Sequence, residues 1–210
     1  MRKRQLPPGC GEMESDWSVA CAADDPWIVV PWSGVTETDP SLRYFDLRAE
    51  PERIRDIPDA ARNPTLADAL SAWNASPSLF TAKCDVWHYW QSLFDAFDLA
   101  GYAAAHASYV DLVPLEPALY SHFAAMEERL RRGSRQAEAL PTPDTRCEWT
   151  LRRARIQDAA CTDTPRDGFA CTLYVWGYGA DEQAAQQACG LGLRTLIAPV
   201  LQLFSEGAAG

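Results

Sequence analysis

The stretch Cys147-Glu-Trp-Thr-Leu-Arg152, followed by Phe169-Ala-Cys-Thr-Leu-Tyr-Val-Trp176, decides the fold class of this chain. In the first segment the apolar residues Cys147, Trp149 and Leu151 alternate with polar residues. In the second, Phe169, Cys171, Leu173 and Val175 alternate with Ala170, Thr172, Tyr174 and Trp176. Both patterns have the period of two expected of half-buried strands. The second segment is rich in the β-branched and aromatic residues that suit a pleated surface. The polar residues 157–168 lie between the segments and predict a loop. Two strands paired antiparallel are therefore predicted.

The residues that follow predict a helix. Gly177-Tyr-Gly179 predicts the end of the second strand, and Asp181 is a suitable N-cap for a helix. Pro199 predicts a kink or an end, because proline lacks an N–H and clashes with the preceding turn. The last third of the chain is therefore a β-β-α unit.

Two weaker copies of this unit come earlier in the chain. The first has strands at 27–32 and 44–49 and a helix that begins at Asn63-Pro64, a capping side chain before a first-turn proline. The second has strands at 80–88 and 109–113. A short helix or structured loop is predicted over 90–97, and Pro117 begins a helix that Gly133 ends.

The fold class predicted from these units is α+β: a largely antiparallel sheet of about three β-β-α units with helices on one face. A ferredoxin-like core within residues 80–204 is the alternative. We predict a disordered N-terminal tail over 1–23 and a single domain over 24–210, with possible sub-units 24–78, 79–140 and 141–210. The residues of the units do not repeat, so a repeated pattern is predicted rather than a duplication.

Composition narrows the classes of function. The formal net charge of −10 argues against nucleic-acid binding, which draws most of its affinity from phosphate neutralisation. The sequence contains no run of about 18 apolar residues, so no membrane span is predicted. The basic start Met1-Arg-Lys-Arg lacks a following apolar region, so we expect no secretory leader. The odd number of 7 cysteines without a C-x-x-C pair favours a reducing cytoplasm.

The sheet face opposite the helices is the candidate functional surface. Alternation assigns to it a set that is half aromatic and half charged: Tyr44, Asp46, Arg48, Lys83, Asp85, Trp87, Tyr109, Asp111, Tyr174, Trp176 and Tyr178. Arg153 and Arg155 join this face if a bulge shifts the phase late in their strand. Tyr, Trp and Arg dominate binding hot spots. The competing interpretations are that a loop or the N-terminal segment covers these side chains, or that they form an ordinary solvated face.

Motifs for catalysis, metals and cofactors are weak. Cys84 and His88 share a strand face, but about 13 Å separates residues four apart in a strand, which is too far for one ion. His106 and His122 are isolated in the sequence. The carboxylates Asp46, Asp85 and Asp111 share a nominal face and are the best candidates for shared protons. We therefore predict no catalytic residue, no metal and no cofactor.

Three functions remain as hypotheses. The first is a non-catalytic binding or adaptor subunit of a hetero-oligomer, which holds a peptide or partner enzyme on the aromatic face or an edge strand. One such role is the presentation of a substrate peptide to a partner metalloenzyme. The second is a small-molecule-binding protein or enzyme that uses the carboxylates. The third is a structural homo-oligomer paired through the same face.

Overall fold

The computed structural model of the chain describes residues 11–34, 42–90, 102–157 and 165–205. Within these residues the architecture is mixed α+β, with a mostly antiparallel sheet of six strands and several helices. The strands are β1 (Glu14–Ala20), β2 (Ile28–Val30), β3 (Leu79–Trp90), β4 (Ala104–Pro114), β5 (Thr145–Ile156) and β6 (Arg166–Gly179). The helices are a 3-10 helix (Pro51–Asp56), α1 (Pro58–Arg62), α2 (Pro64–Asn74), α3 (Pro117–Ser121), α4 (Phe123–Ala137) and α5 (Glu182–Ser205).

The sheet has the strand order β1-β5-β6-β4-β3, and β2 also pairs with β5. The β3–β4, β4–β6 and β5–β6 pairs are antiparallel. Both β1 and β2 run parallel to β5, one after the other along its outer edge. In the described residues β3 is therefore the outer strand on the other side of the sheet.

One face of the sheet carries the main core. Trp149 on β5 and Trp73 on α2 are both fully buried there. The Trp73 indole donates a hydrogen bond to the Ile197 carbonyl of α5 at 3.3 Å, which ties the two helices together. The other contributors alternate along the strands and recur at helical spacing: Val110, Leu112, Leu151, Leu173, Val175, Leu66, Leu70, Met126, Leu130, Leu193, Leu196 and Val200.

A second, smaller core fills one end of the opposite face. Val30 of β2 lies there against Phe80 and Val113, and all three are buried. Beyond β2 the chain reaches the outer strand, where the Trp32 indole donates to the Ala82 carbonyl at 2.7 Å. The chain thus crosses and covers this end of the face opposite the helices.

The N-terminal region differs from the predicted tail. Residues Glu14–Ala20 form β1, although they lie inside the segment 1–23. Met13 is buried, and the Ser15 hydroxyl lies 3.0 Å from that of Ser134 on α4. Polar residues of β1 have side-chain partners across the structure: Ser15 lies beside Ser134, Asp16 pairs with Arg146, and Ser18 donates to Glu148.

The strand predicted at 44–49 is wrong. Residues 47–49 form a turn, and Asp46 stabilises it by accepting hydrogen bonds from the backbone N–H and the guanidinium of Arg48. Local side-chain to backbone bonds of this kind compete with strand pairing. The strand predicted at 27–32 is present as β2, which pairs with β5, and β1 and β2 do not pair with each other.

Three element boundaries predicted from glycine and proline residues also differ from those in the structure. Gly177 lies inside β6, where its missing side chain lets α5 approach the strand, and β6 ends two residues later at Gly179. Pro199 lies within α5, which continues to Ser205. The helix predicted from Pro117 to Gly133 is two helices that join at His122, and Gly133 is internal to the second.

Other predictions have mixed outcomes. The N-cap roles of Asn63 and Asp181 are confirmed, since their carboxamide and carboxylate oxygens accept from the N–H groups of Leu66 and Ala184. Among the described residues from 79 to 205 the elements follow the order ββααββα, which does not confirm the βαββαβ order of a ferredoxin-like core. In the helix or loop predicted over 90–97, residue 90 belongs to β3 and 91–97 lie outside the described residues.

Candidate functional site

The face opposite the helices carries rows of side chains that run across the strands. One row joins Asp85, Tyr109, Tyr174 and Glu148 in register from β3 to β5. The neighbouring row has Trp87, Ala107, Trp176 and Arg146 at the matching positions. A small residue, Ala107, lies between the two tryptophans, which leaves room for large rings on either side.

Four rings from these two rows form one contiguous group, here called the aromatic row: Trp87, Tyr109, Tyr174 and Trp176. The centroid distances are 5.9 Å for Trp87–Tyr109 and 5.7 Å for Tyr109–Tyr174. Tyr174 and Trp176 stack at 5.6 Å with an interplanar angle of 20°. These separations are typical of attractive aromatic pairs, each worth about 0.5–1.5 kcal/mol. All four rings are half-buried, whereas Trp149 on the other face has no exposed area.

Charged groups flank the aromatic row on the β5 side. The Arg146 guanidinium lies 5.7 Å from the Trp176 ring centroid and pairs with Asp16 of β1 at 3.2 Å. Arg152 donates a hydrogen bond to the Tyr174 hydroxyl at 3.0 Å. Arg146 and Arg152 therefore hold the Trp176 and Tyr174 rings in place and supply positive charge at the border of the apolar surface.

Asp111 occupies the next row and is the most buried carboxylate of this face, with 8% of its surface exposed. Its Oδ1 accepts a hydrogen bond from the Thr172 hydroxyl at 2.6 Å. Burial raises the pKa of Asp111 to about 6, although the Thr172 bond, Arg152 and Lys83 act in the opposite direction. Burial, together with Asp111 and Asp85, also raises the pKa of Tyr109.

A cavity of about 450 Å³ adjoins Asp111 at the edge of the sheet, beside the β3 bulge. The bulge lies between Thr81 and Cys84, where the register of β3 against β4 shifts. Asp85 and Lys83 contribute to the cavity wall from β3. Asp59 of α1 and Trp32 add a further carboxylate-bearing element and an aromatic ring to its lining.

The structure brings together only part of the predicted surface. Asp85, Trp87, Tyr109, Asp111, Tyr174 and Trp176 share the face opposite the helices, and Tyr178 lies at its far end, buried against Tyr102. Tyr44 packs against the smaller core instead. Asp46 and Arg48 form an ion pair with each other at 2.8 Å. The Lys83 ammonium lies 5.3 Å from the Trp32 ring centroid.

Arg153 and Arg155 lie on the other face, because β5 pairs with β6 without a bulge from Thr145 to Ile156. Their guanidinium groups stand 5.6 and 5.1 Å from the Trp27 ring centroid. Arg155 also pairs with Asp167. Sequence reasoning thus missed Arg146 and Arg152, which strict alternation from Cys147 would have assigned to the face of the aromatic row.

Two histidines meet at the other end of the sheet. The Nδ1 atoms of His88 and His106 lie 2.9 Å apart, and the Glu182 carboxylate is 3.6 Å from His88. Burial, and then His88, lower the pKa of His106 to about 4, so this ring stays neutral at ordinary pH. The sequence did not indicate this pair, because the histidines are 18 residues apart and meet only through β3–β4 register.

The described residues offer little for nucleophilic or metal chemistry. Burial raises the pKa of Cys84, Cys147 and Cys189 to about 12, which keeps these thiols protonated and unreactive. Across residues 11–34, 42–90, 102–157 and 165–205, no group of three or more His, Cys, Asp or Glu side chains is placed to hold a metal ion.

Comparison of the chain with protein-family models, with curated proteins and with solved structures gave no match. One helix in the described residues, α5, is long and apolar enough to cross a membrane, with a mean hydropathy of 1.4. This is weak evidence for a span, because the core helix of a domain meets the same criteria and Leu193, Leu196 and Val200 of α5 are buried against the sheet.

Proposed function

We propose that the protein is a non-catalytic binding or adaptor subunit that holds a peptide or a partner protein against the aromatic row. The observation that carries this proposal is the half-buried group of four contacting rings on the sheet face opposite the helices. Large apolar rings at a partly exposed position gain free energy when a partner removes their remaining surface from water.

The aromatic row is also preorganised for binding, as Tyr174 shows. Tyr174 is fixed by the stacked Trp176 and by the hydrogen bond from Arg152. A side chain that is already ordered loses little conformational entropy when a partner docks, so more of the contact energy contributes to affinity. Tyr, Trp and Arg are the residue types that most often dominate interface energetics.

The finer features of this proposal concern the partner and its setting. The partner is a peptide or an enzyme in a hetero-oligomer, and one candidate role is to present a substrate peptide to a metalloenzyme. The outer strand β3 offers a second contact by strand addition next to Trp87. The free thiols of all five described cysteines support a cytoplasmic setting. For the architecture we keep the proposal of β-β-α units over 79–140 and 141–210, and not over 24–78, where residues 47–49 form a turn.

Co-purification of the tagged protein from its native host, analysed by mass spectrometry, tests the adaptor role. We expect a partner to co-purify with the wild type and to be lost with Trp87→Ala, because the substitution removes one end of the aromatic row. Phe123→Ala is the matched control, since this exposed ring contacts Phe169 on the helix side. We expect the Phe123→Ala variant to retain the partner.

Two outcomes would contradict the adaptor role. The first is a wild type that retains no partner at all. The second is a partner that Trp87→Ala retains as well as Phe123→Ala does. Circular dichroism melting of both variants separates loss of the surface from loss of the fold.

A small-molecule-binding protein is the second candidate function, and the cavity beside Asp111 favours it. Its volume of about 450 Å³ falls within the range of small-molecule sites, roughly 300–1,000 Å³. Of the three carboxylates that the sequence indicated, Asp85 and Asp111 line this cavity and Asp46 does not. Substitution of Asp111 tests this candidate, because it removes the buried carboxylate of the cavity lining.

A further inference from the structure

We propose that the cavity beside the β3 bulge binds an organic ammonium ion, with the Asp111 carboxylate as its anionic partner and the Trp32 ring as its aromatic partner. This inference names the ligand class for the second candidate function and rests on it. It does not depend on the aromatic row or on any partner protein.

The Asp111 carboxylate makes no direct ion pair with any described residue. Thr172 donates to Oδ1, and Oδ2 accepts no hydrogen bond from the described residues. Lys83 and Arg152 act on this carboxylate only through longer-range attraction. A carboxylate this buried is costly unless a cation or several donors satisfy it. Because Asp111 lines the cavity, a bound ammonium group can reach it and supply the missing charge and donors.

The Trp32 ring already receives an ammonium group from the chain itself. The Lys83 Nζ stands 5.3 Å from the ring centroid, within the usual range of cation–π contacts. The hydrogen bond from the Trp32 indole to the Ala82 carbonyl fixes the ring beside β3. Lys83 is exposed, so its side chain is able to leave when a ligand cation takes its place.

The charges around the cavity select a cation over an anion. Asp59, Asp85 and Asp111 all line it, against Lys83 and Arg43. The Arg43 guanidinium is engaged over the Phe45 ring at 5.2 Å. A metal ion is a poorer fit, because the described carboxylates do not converge as a set of three ligands. An organic cation needs only one close carboxylate and an apolar wall, and Leu42, Leu47 and Ile57 provide that wall.

Titration of the purified protein with three benzyl compounds tests this inference by two-dimensional NMR. Benzylammonium, benzyl alcohol and benzoate have the same ring and differ in charge. We expect saturable shifts of the Trp32 indole and Thr172 amide signals with benzylammonium. Its affinity should be about tenfold or more above that of the alcohol, in line with the strength of a charged hydrogen bond. Benzoate should not bind.

Two substitutions should move the affinity in opposite directions. Asp111→Asn should weaken benzylammonium binding about tenfold or more, because it removes the anionic partner. Lys83→Gln should strengthen it by roughly two- to fivefold, because the competing ammonium is gone from the Trp32 ring. Asp24→Asn, an exposed turn residue that does not line the cavity, removes the same charge and should leave the affinity unchanged.

Three results would overturn the inference: no saturable binding by any of the three probes, equal binding of alcohol and ammonium, or full binding by Asp111→Asn. The adaptor role fails separately, in the co-purification experiment, since this titration uses the protein alone. If an amide or a neutral ligand binds the cavity equally well, the small-molecule function survives and the ammonium specificity does not.

Discussion

At the scale of single residues, Asp111 is a carboxylate that costs stability. Its folded-state pKa of about 6 exceeds its ordinary value of 3.8, mainly because of burial. The folded protein therefore binds more protons than the unfolded chain between about pH 4 and pH 6. The free energy of unfolding falls as pH rises through this interval. The destabilisation caused by the buried Asp111 carboxylate is fully present above it.

Asp111→Asn should for this reason stabilise the protein at pH 7.5. A shift of about 2 pKa units corresponds to about 3 kcal/mol, so we expect a gain of roughly 1–3 kcal/mol that shrinks towards zero as pH falls to about 4. Urea unfolding monitored by circular dichroism at both pH values measures this difference. A variant that is destabilised at pH 7.5 would show that the carboxylate contributes to folding and would remove this support for a binding role.

Gly177 is a residue at which the sheet and α5 pack without room for a side chain. A Cβ atom at this position would lie 2.0 Å from the Cys189 backbone nitrogen. We expect Gly177→Ala to destabilise the protein by about 3 kcal/mol or more, because the clash is with backbone that cannot rotate away. Thermal and urea unfolding measure the loss. The control is Gly11→Ala, which meets nothing within 4 Å and should change stability by less than about 0.5 kcal/mol.

At the scale of elements, β1 is an integral strand. It covers the edge of β5 along seven residue pairs, Met13 beside it is buried, and its Ser15 contacts α4. Removal of residues 1–20 should reduce the free energy of unfolding by at least about 3 kcal/mol, since even one buried methionine contributes on the order of 2–5 kcal/mol. Calorimetry measures the effect.

A point variant within β1 provides the control for this truncation. Val19 is 43% exposed, so Val19→Thr should leave the stability nearly unchanged. A truncated chain that melts with the wild type would instead favour the tail predicted from the sequence.

The strands and helices also show which local sequence patterns were sufficient to predict secondary structure. The alternation in β5 and β6 and the caps at Asn63 and Asp181 predicted real elements, because strand period and capping depend on neighbours within four residues. The alternation at 44–49 did not predict a real strand, because Asp46 accepts hydrogen bonds from the backbone and the guanidinium of Arg48 and so stabilises a turn. Alternation alone does not reveal such competition.

At the scale of the whole molecule, the net charge of −10 opposes association between copies of the chain. If the face of the aromatic row serves a different partner, the purified protein should be monomeric at low and at high salt. We expect light scattering after size exclusion to give a mass near 23.2 kDa at both about 50 mM and about 1 M NaCl, where charge repulsion is screened.

A mass near twice this value at high salt would favour the homo-oligomer hypothesis. Trp87→Ala would then show whether the aromatic row forms the contact: loss of the dimer in this variant, and not in Phe123→Ala, would place the interface there.

The sequence by itself determined the mixed α+β class, most strands and the starts of α2, α3 and α5, because these follow from interactions between residues close in the chain. It also indicated Trp87, Tyr109, Tyr174 and Trp176 as members of one face. Only the tertiary structure decided the parallel addition of β1 and β2 to β5, the placement of Arg152 rather than Arg153 beside Tyr174, and the cavity at Asp111. These features depend on register and packing between distant segments, such as the Ser15–Ser134 contact across 119 residues, and no local pattern encodes them.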